Sequence, residues 1–245
     1  MDVLLLNPNT SADMTAHIVR EAGRHSGDGI ALVPATARFG GAVVASRASY
    51  AIAAHAVLDT YARHIAAHAG RADAVVIACF GDPGLEALRE LAAVPVIGLL
   101  ESAVAEAARV AGPFGIVTAG PAWVPMLEER VRATPHAGLL RGVFAIQTTG
   151  LDVTRDPGRF AGVLQEAVDA AVAAGAGAVI LGGSALAGFG PRLSTPARLI
   201  DPLEAAMAEA RRLAGAVAAR PEAPPIAYEG LGPELAELLR PPATA

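Results

Sequence analysis

Cys79 is the single cysteine of the chain, and it closes the apolar rise in "AVVIACFGDPGLEALRE" (74–90). A thiol at such a strand end can serve as acid, base or nucleophile. It can equally be a small buried filler, a common fate of a free cysteine. Residues 80–83, "FGDP", turn the chain towards a helix, with Asp82 expected as N-cap and Pro83 as the first helical residue. The positive end of that helix would lower the thiol pKa. A second segment, "AVILGGSALAG" (178–188), has the same rhythm but carries Gly183 where the first carries Cys79. Its glycines allow a backbone to approach a ligand closely, or simply make a tight turn; no Walker pattern or GxGxxG points to a nucleotide. "NPNTS" (7–11) can cap a helix or present amides to a carboxylate or carbonyl oxygen. Thr118, Thr148 and Thr149 are candidate hydroxyl donors at strand ends. His64 and His68 have i,i+4 spacing, but without a third ligand beside them they read as a solvated helix face. Asp59 and Glu101 are isolated carboxylates with no partner set by spacing.

These groups need strands and helices to bring them together. Short apolar runs recur at 3–7, 30–34, 74–78, 94–100, 114–118, 139–146 and 178–183, separated by Ala-rich stretches of helical length such as 11–26 and 157–176. Runs apolar throughout suit strands buried on both faces, hence parallel sheets covered by helices. Ligands in such sheets lie beyond the carboxyl ends of the strands, where Cys79 falls. The chain also repeats itself. "AVVIACFG" aligns with "AVILGGSA" at an offset of 104 (79 to 183), and "LLLNPNT" aligns with "GIVTAGP" so that Asn7 falls near Thr118. Two similar lobes sharing one cleft are expected: residues 1–96 with 206–245 in the first, and 97–205 in the second.

Composition fits this plan. The 245 residues are 53% hydrophobic and 18% charged, ample for a packed core and against disorder. A net charge of −5 without a basic cluster argues against nucleic acid as a partner. One cysteine rules out an internal disulfide and any multi-cysteine metal site. The opening "MDVLLLNPNT" has no basic n-region, so a secretory signal is not expected. The uncharged run from Ala170 to Pro191 is broken by glycines and reads as a helix end, a turn and a buried strand rather than a membrane span. A cytoplasmic protein, a homo-oligomer with a small-molecule substrate, is expected.

"LLLNPNTSADMT", "FGGAVVASRASYAIAAHAVLD", "ACFGDPGLEALRE" and the late glycine turn together resemble the aspartate/glutamate/hydantoin racemase superfamily, nearest its hydantoin racemase branch. The resemblance implies a cofactor-independent, metal-free enzyme with two pseudosymmetric α/β lobes. It further implies a cleft in which two cysteines, one per lobe, move a proton between the faces of an acidic carbon. Cys79 matches the first. Gly183, or Ser184 if the turn is shifted by one, stands in place of the second. Racemisation needs acid/base groups on both faces, and glycine supplies none. One-sided reactions follow: protonation of an enolate after decarboxylation, elimination from a ring, or attack by Cys79 on a carbonyl or thiocarbonyl. Arylmalonate decarboxylase, in the same superfamily, keeps a single cysteine on the other half.

The expected enzyme is therefore a one-thiol lyase, hydrolase or decarboxylase acting on a hydantoin, a thiohydantoin or a related carbon acid. A racemase with a non-cysteine second base and a non-catalytic binding protein are the alternatives. The expected site comprises Cys79 as catalytic group, with Asn9, Thr10, Phe39, Phe80, Gly81, Thr118, Gly183 and Ser184 around the substrate. Backbone amides at 9–10, 80–81 and 183–184 would hold negative charge on substrate oxygens.

Overall fold

The computed structural model describes residues 1–68, 72–217 and 226–240, apart from the side chains of Leu151 and Pro157. Two four-stranded parallel sheets form the framework. The first contains β1 (Asp2–Asn7), β2 (Ala31–Thr36), β3 (Ala74–Ile77) and β4 (Val96–Gly98) in the order β2-β1-β3-β4. The second contains β5 (Phe114–Ala119), β6 (Leu140–Ile146), β7 (Ala178–Gly182) and β8 (Arg198–Ile200) in the order β6-β5-β7-β8. The two orders are the same once each lobe is counted from its own first strand.

Register makes the internal repeat physical. Leu6 pairs with Ile77 in the first sheet, which sets Asn7 beside Ala78 one residue further on. Thr118 pairs with Gly182 in the second. Asn7 and Thr118 are thus counterparts, as are Cys79 and Gly183. β8 has no apolar run to announce it: only "RLI" pairs with β7, and the sequence gives no strand signal there.

Alternation along the strands sorts side chains into three apolar layers. Val3, Leu5 and Val76 share one core with Phe114, Ile116 and Ile180 of the other sheet. Helices α1 (Ala12–Ser26), α4 (Leu99–Ala111) and α8 (Pro202–Arg212) fill the space between, through residues such as Ile18, Val104 and Met207. On the outer face of the first sheet, Leu4, Leu6, Val75 and Ile77 pack on α2 (Arg47–Ala67) and α3 (Leu85–Leu91). Val117, Val179 and Leu181 pack on α6 (Gly150–Arg155) and α7 (Pro157–Ala173) on the outer face of the second. α5 (Trp123–Arg132) follows β5, and α9 (Pro233–Leu238) returns to the first lobe, where Leu235 meets Ala62 and Leu91. Of the stretch 206–245 assigned to that return, residues 218–225 and 241–245 lie outside the described residues. No helix among the described residues is long and apolar enough to cross a membrane.

Helix starts follow side-chain caps. Ser11 accepts from the Met14 N–H, Asp201 from Leu203, and Thr149 and Asp152 form a capping box. The start after Cys79 departs from expectation. α3 begins at Leu85 behind Gly84, which is left-handed at φ +76°. Asp82 does not cap it. Its carboxylate reaches instead to the start of α4, accepting from the N–H groups of Leu100 (3.0 Å) and Glu101 (2.9 Å).

Glycines mark where this packing leaves no room. A Cβ on Gly98 would lie 2.3 Å from Asp82 Oδ2, and one on Gly182 would lie 2.6 Å from Ile116 and 2.7 Å from Phe80. Gly23, exposed within α1, would meet nothing. Gly98→Ala and Gly182→Ala should each destabilise by about 1–3 kcal/mol through overpacking, whereas Gly23→Ala should stabilise by about 0.5–1 kcal/mol. Urea unfolding of the three variants checks this; an unchanged midpoint for Gly98→Ala would contradict the packing described.

Candidate active site

A cavity of about 410 Å³ opens where the carboxyl ends of the two sheets face each other. Cys79, Ala78 and Phe80 reach it from the first lobe; Thr118, Gly182, Gly183 and Ser184 reach it from the second. Asn9 adds the end of the β1 loop. The structure thus brings Asn9, Cys79, Phe80, Thr118, Gly183 and Ser184 into one wall system. Its walls do not include Thr10, Phe39 or Gly81. Phe39 stands edge-on to His55 with ring centroids 5.1 Å apart. The Gly81 carbonyl accepts a hydrogen bond from Tyr50 Oη at 2.7 Å.

Local hydrogen bonding explains the fate of the 7–11 loop. Asn7 is fully buried, and its Nδ2 donates to Asn9 Oδ1, Thr15 Oγ1 and the Ser11 carbonyl. The Asn9 N–H donates to Asn7 Oδ1, and the Thr10 N–H donates to the Gly41 carbonyl. These two amides are therefore engaged within the protein and not held open for an anion, contrary to the expectation from sequence. Asn9 Oδ1 accepts from the Ser11 N–H as well as from Asn7, so what Asn9 can offer a ligand is its amide N–H₂.

Cys79 sits in a tight turn. The Asp82 N–H donates to the Cys79 carbonyl at 3.1 Å, Gly81 has φ +121°, and Asp82 itself is left-handed at φ +56°. A Cβ on Gly81 would strike Trp123 at 2.8 Å, so this glycine is demanded both by conformation and by close approach. Burial pushes the Cys79 thiol up to about 12, and the neighbouring Asp82 charge pushes in the same direction. Burial also raises the Asp82 carboxyl to about 7, against the pull of the Leu100 and Glu101 N–H groups and Arg130. The expected thiol-lowering helix start is thus replaced by a dry pocket that keeps the thiol protonated.

Cys79 is the one titratable side chain in the cavity wall among the described residues. The rest of the polar lining is neutral: Asn9, Thr118, Gln147, Thr148, Thr149 and Ser184. Gly183 has φ +155°, and a Cβ there would meet only Leu186, at 3.8 Å. The wall opposite Cys79 is therefore open, but its backbone is one that L side chains rarely adopt. Ser184 is not a poised base, because its Oγ donates to the Ala78 carbonyl at 2.9 Å.

Among the wall residues not picked out from sequence, Trp123 and Gln147 are the two whose side chains carry hydrogen-bonding groups. Trp123, the sole tryptophan, starts α5. It packs on Cys79, Val44 and Ala53, stands edge-on to Tyr50 at 6.4 Å, and donates from Nε1 to the Val44 carbonyl. Gln147 lies on the β6–α6 loop. Nothing local in the sequence marks either, although a lone large aromatic after a strand end is a usable hint. Outside the cavity, Asp59 is not isolated: Arg38 holds it through two hydrogen bonds, at 2.7 and 3.0 Å. Glu101 pairs with Arg89. His64 is buried and stacks on His68 with centroids 4.3 Å apart, so only His68 lies on a solvated face.

Two outcomes are expected. Since the thiolate is the reactive form, a pKa near 12 makes Cys79 alkylation by iodoacetamide climb through pH 7–10 without levelling near the ordinary thiol value of about 8.5. A plateau below pH 9 would contradict the burial effect. Filling the cavity should change the emission of Trp123 saturably, and Trp123→Phe should abolish the signal.

Residues 3–210 match the sequence model of the Asp/Glu/Hydantoin racemase family. A hydantoin racemase of Rhizobium meliloti is 34% identical over 226 residues, spanning 88% of this chain and 90% of that protein. An allantoin racemase from Klebsiella pneumoniae superposes with a TM-score of 0.81 at 28% identity, covering 100% of this chain and 95% of that one. Arylmalonate decarboxylase superposes with a TM-score of 0.55 at 16% identity over 88% of this chain and 93% of that one, a likeness of fold alone.

Proposed function

The chain belongs to the Asp/Glu/hydantoin racemase family, and from that premise we propose a cofactor-independent, one-thiol reaction on a small cyclic ureide of hydantoin or thiohydantoin type. The observation that carries this is the wall composition: Cys79 is its one titratable side chain among the described residues. A dicarboxylate would bring a second charge with no cationic partner in the wall among the described residues, whereas a single carboxylate on the reacting carbon loses its charge when it leaves as CO₂, which a dry site favours. A neutral ring with N–H and C=O groups suits the amides and hydroxyls present. The hydantoin and allantoin racemases similar to this chain support the same substrate class by name.

A thiol that waits protonated is a donor first. In the proposed step, a carboxylate on the ring carbon beside a carbonyl departs as CO₂, and the electron pair of the broken C–C bond stays on the ring as an enolate. That carbon takes the Cys79 proton, a C–H bond forms on one face, and solvent reprotonates the thiolate. Amides of Phe80, Gly183 and Ser184, with Thr118, are the proposed donors to the enolate oxygen. Ring hydrolysis by Cys79 attack is less well served, since among the described residues no base stands in the wall to remove the thiol proton. Racemisation is the second reading, favoured by the names of the relatives. It requires a second proton carrier on the Gly183 side.

The test is turnover in D₂O of a hydantoin bearing a carboxylate on the ring carbon next to its carbonyl. The product should carry one deuterium and be a single enantiomer. Cys79→Ser should reduce the rate by at least roughly a hundredfold. A racemic product formed at the wild-type rate would favour the second reading, and full activity of Cys79→Ser would remove the thiol from the mechanism.

A further inference from the structure

Helix α1 belongs to the first lobe, yet one of its faces is pressed onto the glycine turn of the second. His17 and Glu21, one helical turn apart, supply the contact. The His17 ring lies 3.1 Å from the Ser184 carbonyl through Nε2. Glu21 is buried against Gly188, where an added Cβ would lie 2.3 Å from its Oε2. Arg20 Nη2 approaches His17 Nδ1 at 2.7 Å. A guanidinium can only donate, so Nδ1 is the acceptor and Nε2 carries the hydrogen that Ser184 receives.

Ser184 passes the connection on. Its Oγ donates to the Ala78 carbonyl, and the Ala78 N–H donates to the Leu6 carbonyl within the first sheet. The peptide so held lies directly before Cys79. The Gly183 carbonyl accepts from the Leu186 N–H at 2.8 Å, which folds the turn around Ser184. His17, Ser184 and Ala78 therefore make one continuous tie from α1, across the cleft, to the catalytic strand end. Along this path the Ser184 hydroxyl is committed to position and not to chemistry.

We propose that His17 is a positioning residue: it holds the Ser184 carbonyl so that the Ser184 hydroxyl can hold Ala78, which fixes the separation of the Cys79 and Gly183 turns. Neutral imidazole is the form that serves, because a second ring proton would face the Arg20 guanidinium. Burial lowers the His17 pKa and Arg20 adds to that, while the Glu21 and Asp201 carboxylates and the Ser184 carbonyl oppose it. Loss of either hydrogen bond frees the turn to swing from the first lobe and admits solvent and reagents to Cys79.

The readout is the accessibility of the single thiol, so it stands apart from the identity of the substrate and from the reaction type proposed above. Alkylation by iodoacetamide at pH 8, followed by intact mass, is compared in wild type, His17→Ala, His17→Gln and Ser184→Ala. His17→Ala and Ser184→Ala should each alkylate roughly three- to tenfold faster, the factor set by one hydrogen bond's net contribution. His17→Gln, whose amide N–H₂ can replace Nε2–H, should stay within about twofold of wild type. Urea midpoints separate this opening from global unfolding. Ser184→Ala, which removes one oxygen, serves if His17→Ala does not fold. Wild-type rates in both Ala variants would overturn the proposal. Equal acceleration in His17→Gln and His17→Ala would overturn it as well, because the donated hydrogen bond would then not be the cause.

Discussion

Everything at the Cys79 end of the first lobe hangs on the buried carboxylate of Asp82. It is fully enclosed, and a carboxylate without water must be met by donors. The two donors are the N–H groups of Leu100 and Glu101, at the positive end of the helix that leads from the first lobe to the second. The same residue gives its own N–H to the Cys79 carbonyl. One side chain thus ties the thiol-bearing turn to the connecting helix. The absence of a side chain at Gly98 follows from that contact, since a Cβ there would strike the Asp82 carboxylate, while Gly81 answers to Trp123 and Gly84 to Ala54.

From this tie the electrostatics of the cleft follow. Keeping Asp82 inside places a negative charge next to a desolvated thiol, and both effects hold the proton on Cys79. Across the cleft Gly183 presents backbone, and Ser184 spends its hydroxyl on Ala78. The resulting cavity has a proton donor on one side and neutral polar groups elsewhere. Such an asymmetry suits delivery of one proton to one face of a ring carbon.

Much of this was legible in the sequence because the relevant signals are local. Apolar runs marked seven of the eight strands, and the offset between "AVVIACFG" and "AVILGGSA" gave the equivalence that the sheet registers display. What escaped depends on contacts between distant segments. β8 is three residues long and is held by pairing, not by its own composition. Asp82 has the type and position of a cap for the next helix, and only the fold reveals that it caps a different one. The amides of Asn9 and Thr10 looked available because their acceptors, Asn7 Oδ1 and the Gly41 carbonyl, meet them only after the chain has folded. Trp123, at the first position of α5, and Gln147, on the β6–α6 loop, enter the cavity beyond strand ends, where no periodic signal marks them.

The central claim is that proton transfer at Cys79 is one-sided, and the most direct measurement follows optical rotation and the ring C–H signal together. A single enantiomer of a 5-substituted hydantoin is incubated in D₂O with wild type and with Cys79→Ser. Rotation should decay no faster than without enzyme, and any enzyme-dependent deuterium uptake should proceed with retention of configuration. Rotation that decays to zero with wild type in step with deuterium uptake, and not with Cys79→Ser, would show a second proton carrier on the Gly183 face and contradict the account.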